Sequence, residues 1–306
     1  MSTMSSMLTG SGVELPSSLF AYEIIDYIGE GAGSRIYLVS HPDTHQIYAL
    51  KYVVRKVERD ERFVEQLENE YEVGRLVSHR GLRKSIDLKV NRTLLRKTID
   101  ACLIMELVDG IPLEAQLPKT LSDTIETFIQ TAQALESLHQ TGYVHCDLKP
   151  NNILRSAIGE VKVIDLGQAC KIGTAKKRIQ GTPDFISPEQ VKCLPVDGRT
   201  DVFNFGATLY WCLTSKKLPT LFNVGKSENS FLVDTEIPTP RSLNPLLPET
   251  LSNLVMECVK TSPVKRPTMG DCVRRLEIIQ HVLQRNGQTA GIRTSEGSRH
   301  GLVARV

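Results

Sequence analysis

The hydrophobic pattern of this 306-residue chain changes near Gly110, and that change restricts its fold more than any other feature. Between Tyr22 and Val108, short runs rich in β-branched and aromatic residues (YEIIDYI, RIYLVSH, IYALKYVV and DACLIMELV) predict strands, with one helix at residues 61–78. Beyond Gly110, apolar residues recur with a helical period at 121–140, 200–214, 250–260 and 269–284. We therefore predict an α+β fold in which a small strand-rich N-lobe precedes a larger helical C-lobe.

The two ends of the chain differ from its middle. Residues 1–20 and 286–306 are rich in Ser, Thr and Gly and show little periodicity, which predicts a flexible tail at each end. The folded domain is predicted at residues 21–285, with the N-lobe at about 21–108 and the C-lobe at about 109–285.

Composition excludes several classes of protein. The net charge of +2 gives no strong overall field for nucleic acid or an anionic membrane, so neither is an expected partner. Seven cysteines without a CxxC pair argue against a disulfide framework or a zinc ribbon and favour reduced thiols. No apolar run approaches the ~18 residues that span a bilayer. We expect a cytoplasmic protein without a membrane span.

A glycine-rich segment and a lysine follow each other in the N-lobe. IGEGAGSRIYLV, from Ile28 to Val39, reads as two strands around a glycine turn, which lets backbone amides approach phosphate groups. Lys51 ends an apolar strand, and a cation that faces the interior needs a partner. Glu70 on the predicted helix can supply that partner, whereas Glu68 and Glu72 point to other sides of the helix.

The segment YVHCDLKPNNIL is the most specific pattern in the chain. Asp147, Lys149 and Asn152 place a proton acceptor, a cation and an amide oxygen on one loop. Asp165 directly follows the apolar run VKVI, where its carboxylate can hold Mg²⁺. A hairpin with its turn at residues 156–160 would bring Asp165 next to Asn152.

In this order, these residues resemble the eukaryotic-type (Hanks-type) protein kinase family over about residues 22–283. Three later segments add to the resemblance: GTPDFISPE at 181–189, DVFNFG at 201–206 and RPT at 266–268. The lysine in DLKPNN and the threonine of the Gly181-Thr182-Pro183 tripeptide are similar to those of Ser/Thr kinases. The longer segment GTPDFISPEQ looks like that of the bacterial Ser/Thr kinases. The resemblance implies the two-lobed protein kinase fold.

The resemblance also implies roles for individual residues. Asp147 would orient the substrate hydroxyl and accept its proton, Lys149 would meet the γ-phosphate of ATP, and Asn152 with Asp165 would bind Mg²⁺. Structural contacts are implied between Arg266 and Glu189, and between Asp201 and the catalytic loop. The nucleotide would be bound by residues of the glycine turn, the Lys51–Glu70 pair and an adenine pocket: Ile28, Gly29, Gly31, Gly33, Ser34, Ile36, Ala49, Lys51, Glu70, Met105, Glu106, Val108 and Leu154.

Four positions depart from the family's pattern. Ser34 stands where the third glycine of the turn is expected, with Gly33 just before it, and Leu166 replaces the Phe after Asp165. Cys146 replaces the Arg that contacts a phosphate on the activation segment in many kinases. Gly74 falls within the predicted helix and is expected to make that helix mobile, since a mid-helix glycine costs roughly 1 kcal/mol relative to alanine.

The function predicted from the resemblance is transfer of the γ-phosphate of ATP to Ser or Thr hydroxyls of proteins, with autophosphorylation and with Mg²⁺ as cofactor. Two alternatives remain open: a small-molecule phosphotransferase of similar fold and a catalytically silent scaffold. Basic segments at 75–100 and 171–178 are ordinarily solvated surface, and an acidic docking partner is the functional alternative.

Overall fold

The computed structural model describes residues 6–8, 14–31, 33–219, 237–285 and 287. The described residues form two compact units. The N-terminal unit holds the residues up to Ser78 and Arg83–Gly110, and the C-terminal unit holds His79–Leu82 and the residues from Ile111 onward. The order of elements, strands first and helices afterwards, confirms the predicted α+β class.

The N-terminal unit is built on a six-stranded sheet in which every neighbouring pair is antiparallel. Two further strands, β1 (Ser6–Leu8) and β2 (Glu14–Pro16), pair with each other. The sheet has the order β3-β4-β5-β6-β8-β7, with β3 (Ser18–Leu19), β4 (Tyr22–Gly31), β5 (Ser34–Ser40), β6 (Ile47–Val54), β7 (Ser85–Arg92) and β8 (Thr98–Met105).

Strands β1 to β3 lie within residues 1–20, for which the sequence predicts a flexible tail. Flexibility of that stretch stays a prediction. The predicted tail at 286–306 lies outside the described residues, apart from Gly287.

Successive side chains of a strand point to opposite faces of a sheet. In the six-stranded sheet, both faces carry buried apolar side chains. On one face, Leu50 belongs to an apolar cluster with Tyr37 and Ile104. On the other face, Ala49 and its neighbours pack against helix α1 (Glu61–Gly74). The apolar spacing that predicted this helix corresponds to its buried side, which includes Val64 and Leu67.

Helix α1 ends at Gly74, whereas the sequence predicts a helix to residue 78. Gly74 is therefore the last residue of the helix and not the mid-helix residue that the sequence predicts, and mobility of the helix stays a prediction. A Cβ at Gly74 would overlap the Ser85 hydroxyl, which donates a hydrogen bond to Glu70 O at 3.0 Å. The glycine allows strand β7 to approach the end of the helix.

Glu70 is buried on α1 and has a cationic partner in the segment after the helix. Arg83 Nη2 lies 3.0 Å from Glu70 Oε1, and both side chains are buried. A buried carboxylate needs such compensation, since charge in the interior is tolerated only when it is paired. This pair attaches the middle of α1 to the loop that leads into β7.

The C-terminal unit is mainly helical. Helix α2 (Leu121–Gln140) packs through Phe128 against Phe205 of helix α4 (Gly198–Thr214), with ring centroids 5.3 Å apart in edge-to-face geometry. The helices predicted from periodicity are present, with ends shifted by at most two residues. They are α2 (Leu121–Gln140), α4 (Gly198–Thr214), α6 (Glu249–Cys258) and α7 (Met269–Arg285). Two short helices that the periodicity does not predict, α3 (Pro188–Val191) and α5 (Pro240–Leu243), lie between them in the sequence.

Two small sheets complete this unit. The predicted hairpin is present as β11 (Ile153–Arg155) paired with β12 (Val161–Val163), and β9 (Ile111–Pro112) extends it. In the second sheet, β10 (Tyr143–Val144) pairs with β13 (Cys170–Lys171).

Asp201, in the first turn of α4, holds the loop that follows β10. Its carboxylate accepts hydrogen bonds from the backbone N–H groups of His145 and Cys146, both at 2.8 Å, and lies 2.8 Å from His139 Nε2. Complete burial acts to raise the pKa of Asp201, but hydrogen bonds and electrostatic interactions with His139 and His145 lower it below its usual value. The predicted contact of Asp201 with this loop is thus present.

A second buried carboxylate connects distant parts of the C-terminal unit. Glu189 forms two parallel bonds with Arg266, at 2.7 and 2.9 Å, as predicted. Such bidentate pairs combine strength with a fixed geometry. Within the described residues, no helix combines the length and the apolar character needed to span a membrane.

We predict that Arg83→Met lowers the free energy of unfolding by roughly 3 kcal/mol, because Glu70 loses a buried partner. Arg75→Met is the matched control, since Arg75 pairs with Glu72 at 2.8 Å on the same helix but is 53% exposed. The control is expected to lose below about 1 kcal/mol. Urea unfolding followed by circular dichroism measures both changes, and equal losses would contradict the assignment.

We also predict that Asp201→Asn destabilises the protein by about 2–4 kcal/mol at neutral pH. Because the pKa of Asp201 is lowered by folding, its stabilisation is present above the unfolded value of ~3.9 and is lost as the pH falls through the folded value. Urea midpoints at a series of pH values from neutral to acid should therefore converge for wild type and variant. A constant difference across the series would overturn the assigned role.

Candidate active site

In the N-terminal unit, the predicted pair of Lys51 and Glu70 is present. Lys51 on β6 places its Nζ 2.7 Å from Glu70 Oε2, and the two side chains are 16% and 3% exposed. Glu70 therefore lies between two cations, since Arg83 binds its other oxygen. An acid held from both sides keeps a fixed position, and it in turn orients the Lys51 ammonium group.

The sequence did not identify Arg83. It lies in the basic segment 75–100, where its cation looks like any other surface charge. The only available signal was that a buried Glu70 needs more compensation than a single lysine gives. Other cations of this segment also have acidic partners: Arg75 with Glu72, Lys89 with Asp87 and Arg92 with Glu68.

The glycine-rich segment forms the predicted hairpin between β4 and β5, in which Gly31 is paired with Ser34. Gly33 has a φ of +77°, a conformation that suits glycine. A Cβ at this position would lie 2.5 Å from the Phe63 ring, in the first turn of α1. The Ser34 hydroxyl is buried and has no hydrogen-bond partner among the described residues, which leaves a donor at the turn.

The remaining nucleotide-binding candidates are found on several strands. Ile28 and Gly29 lie on β4, Ile36 lies on β5, and Ala49 on β6 is paired with Met105 at the end of β8. Glu106 and Val108 follow β8, and the N–H of Glu106 donates to Lys84 O at 3.0 Å. Leu154 belongs to the C-terminal unit, where it lies buried on β11. Their contacts with a nucleotide stay predictions.

In the C-terminal unit, Asp147 is surrounded by hydrogen-bonding side chains. Lys149 Nζ lies 3.2 Å from Asp147 Oδ2, and the Thr182 hydroxyl donates to Asp147 Oδ1 at 2.8 Å. Lys149 also donates to Thr182 Oγ1 at 3.0 Å, which closes a three-membered cluster. Burial raises the pKa of Asp147, and the charge of Asp165 adds to this, while Lys149 and Thr182 oppose it.

The sequence marks Thr182 only as part of the Gly181-Thr182-Pro183 tripeptide. The structure brings its hydroxyl to Asp147, although the two residues are 35 positions apart. Local periodicity carries no information about such a contact, because it depends on how the segment from 168 to 187 folds back on the loop. The arrangement joins a proton acceptor, a cation and a hydroxyl.

The two metal candidates lie at adjacent ends of the β11–β12 hairpin. Ile164 N–H donates to Asn152 O at 3.0 Å, and Asn152 Nδ2 donates to Asp147 O at 2.8 Å. The amide nitrogen is thereby engaged, so the Asn152 side chain offers its oxygen to a cation. Asp165 has a left-handed backbone, φ +65°, and the neighbouring Leu166 is buried, as its predicted packing role requires.

A carboxylate and an amide oxygen fit Mg²⁺, which prefers hard oxygen ligands and retains several from phosphate or water. Among the described residues, no group of three or more His, Cys, Asp and Glu side chains could hold a metal ion.

Comparison with known proteins agrees with this geometry. Residues 22–278 match the family described as protein kinase domain. The chain is 31% identical over 205 residues to the serine/threonine-protein kinase PknB of Mycobacterium tuberculosis, covering 64% of this chain and 32% of that protein. It is 26% identical over 253 residues to a probable serine/threonine-protein kinase of Clostridium acetobutylicum, covering 80% and 37%.

A probable serine/threonine-protein kinase of Clostridium perfringens is 29% identical over 274 residues, which cover 85% of this chain and 38% of that protein. The chain spans about a third of the length of these curated relatives. Because the kinase domain match extends over most of the residues, the chain belongs to the Hanks-type protein kinase family.

Proposed function

We propose that the chain is a Ser/Thr protein kinase, which transfers the γ-phosphoryl group of Mg-ATP to hydroxyl groups of proteins and of itself. The observation that carries the proposal is the cluster in which buried Asp147, on a loop fixed by Asp201, contacts the half-buried side chains of Lys149 and Thr182. Phosphoryl transfer depends on positioning and on compensation of charge, and this cluster offers both.

Asp147 is the proton acceptor of the proposed reaction. Its carboxylate takes the proton of the substrate hydroxyl as that oxygen bonds to the γ-phosphorus and the bond to the leaving ADP oxygen breaks. Lys149, 3.2 Å from the carboxylate, supplies positive charge for the transferred group. Because burial raises the pKa of Asp147, it is a stronger base than an exposed aspartate.

Residues of the N-terminal unit are assigned to the nucleotide. Lys51, oriented by Glu70, contacts the α- and β-phosphates, and the Ser34 hydroxyl donates a hydrogen bond to a phosphate oxygen. Asn152 and Asp165 hold Mg²⁺, which when bound neutralises charge on the phosphates. The adenine ring is assigned to Ala49, Met105 and the backbone of Glu106 and Val108.

Two features support a protein substrate over a small molecule. The segment GTPDFISPE is anchored by the Glu189–Arg266 pair, and its Thr182 reaches Asp147. A small-molecule phosphotransferase has no need of such a segment. The intact set of Lys51, Asp147 and Asp165 opposes a silent scaffold, since a scaffold is free to lose any of them.

The proposal extends to location and partners. All seven cysteines are free, although two pairs of sulfur atoms lie close together, which supports a reducing, cytoplasmic location. Lys171, Lys177 and Arg178 are exposed in the basic segment 171–178, where an acidic docking partner can bind them.

The function is tested with labelled ATP. The purified chain with Mg²⁺ should label itself and a generic basic protein on Ser or Thr, and Asp147→Asn should reduce the rate by about 10²–10⁴-fold while Mg-ATP still raises its melting temperature. Phosphoamino-acid analysis identifies the product. Phosphotyrosine as the main product, or an active Asp147→Asn variant, would contradict the proposal.

We further predict that activity does not require phosphorylation of Thr174. Cys146 stands where an arginine would bind the phosphate, and its side chain is fully buried beside Val144 and Val196. Initial rates of phosphatase-treated wild type and of Thr174→Ala, measured in reducing buffer, should stay within about tenfold of the untreated protein. A larger loss, equivalent to ~1.4 kcal/mol of barrier, would reveal a phosphate switch.

A further inference from the structure

Two thiols meet directly beside the proposed proton acceptor. Cys146 immediately precedes Asp147, and Cys170 begins β13 in the segment after Asp165. Strand pairing opposes Cys170 to Val144, two residues before Cys146. The sulfur atoms of Cys146 and Cys170 lie 3.6 Å apart, so a small movement brings them to bonding distance.

The two thiols have different surroundings. Cys146 is fully buried, whereas Cys170 is only partly buried. The hydrogen bond with Cys146, the positive charge of Lys176 and a hydrogen bond with Thr174 outweigh burial and lower the pKa of Cys170 to about 7. The pKa of Cys146 is raised by the same hydrogen bond and by burial. At neutral pH the sulfur of Cys170, the less buried of the two residues, is therefore the more nucleophilic one.

We propose that Cys146 and Cys170 form a reversible oxidation site, at which a hydroperoxide converts the two thiols into a disulfide. This modification site is distinct from the residues assigned to ATP and Mg²⁺.

The chemistry balances in two steps. The Cys170 thiolate attacks one oxygen of hydrogen peroxide, the O–O bond breaks, and the products are a sulfenic acid at Cys170 and, after proton uptake, water. The Cys146 sulfur then attacks the Cys170 sulfur, the S–O bond breaks, and the hydroxyl leaves with the Cys146 proton as a second water. Both sulfurs are oxidised by one electron each and the peroxide accepts two.

A second pair of cysteines shows why proximity alone is insufficient. Cys258 on α6 and Cys272 on α7 have sulfurs 3.7 Å apart, but both residues are fully buried. The pKa of Cys258 is raised far above its usual value by its hydrogen bond with Cys272 and by burial. Without an accessible thiolate, this pair has no first step, and it serves as an internal control.

Closing the disulfide would act on the loop that carries Asp147. An S–S bond is ~2.05 Å long, so the sulfurs must approach each other by more than an ångström. Cys146 resists movement, because Asp201 binds its N–H at 2.8 Å and Gln190 Nε2 donates to its carbonyl at 2.6 Å. Cys170 therefore moves, and with it the start of the segment that leads to Thr182.

The modification is tested by mass spectrometry, independently of kinase activity. The reduced 306-residue chain is treated with hydrogen peroxide, its free thiols are blocked with N-ethylmaleimide, and the protein is digested. We expect a linked peptide pair containing Cys146 and Cys170, lighter than the two reduced peptides by two hydrogens and separated by dithiothreitol. Cys258 and Cys272 should be recovered unoxidised.

Variants distinguish the mechanism from general oxidation. Cys146→Ser should leave a sulfenic acid at Cys170 that dimedone traps, and Cys170→Ser should leave Cys146 reduced. Cys272→Ser should still form the disulfide. Recovery of Cys146 as a free thiol from oxidised wild type, or a disulfide that links other cysteines, would overturn the proposal.

The effect on rate rests on the proposed function and is measured separately. Phosphoryl transfer by the oxidised chain should fall at least tenfold and recover with dithiothreitol, whereas Cys170→Ser should not respond to peroxide. A disulfide without any change in rate would overturn the regulatory effect but not the site. A chain that transfers no phosphate in either state would refute the proposed function and leave the mass result valid.

Discussion

The buried carboxylate of Asp201 is the constraint on which the candidate active site depends. Removing a carboxylate from water is costly, and here hydrogen bonds from two consecutive backbone amides and a histidine compensate for that cost. Those amides belong to His145 and Cys146, so the contact fixes the backbone immediately before Asp147. A loop would otherwise be the least rigid place for a proton acceptor, and attachment to helix α4 gives it the stability of a helix.

Two other buried carboxylates, those of Glu70 and Glu189, are compensated by bonded partners in the same way. Glu70 is bound by Lys51 and Arg83, and Glu189 is bound by Arg266 through two bonds. In each case a buried acid joins segments that are distant in sequence, and its partners determine where those segments lie. Buried ion pairs contribute little net stability compared with apolar packing, but breaking one is expensive. Such pairs therefore favour the native packing of these segments over alternative packings in which the ion pairs are broken.

Much of the fold and of the candidate site could be predicted from the sequence, because the order of the elements and the spacing of Glu70 and Asn152 depend on local sequence patterns. The strand and helix patterns gave the order of elements, and the spacing along α1 selected Glu70 over Glu68 and Glu72. The turn at 156–160 correctly predicted the hairpin that joins Asn152 to Asp165. The contacts that were missed depend on tertiary packing: Arg83 with Glu70, Thr182 with Asp147, and the early end of α1 where Ser85 approaches Gly74.

The close fit between Gly33 and Phe63 links two parts of the N-terminal unit mechanically. Phe63 and Glu70 are seven residues apart, which is two turns, so they lie on the same side of α1. The glycine turn thus rests on the helix that positions Lys51. A ligand that binds better when the glycine turn rests on Phe63 therefore also stabilises helix α1 in this position. By thermodynamic reciprocity, a helix held in this position raises the affinity of the turn for that ligand by the same factor. The contact of the Phe63 ring with Gly33, which has no Cβ, thus couples the glycine turn to helix α1.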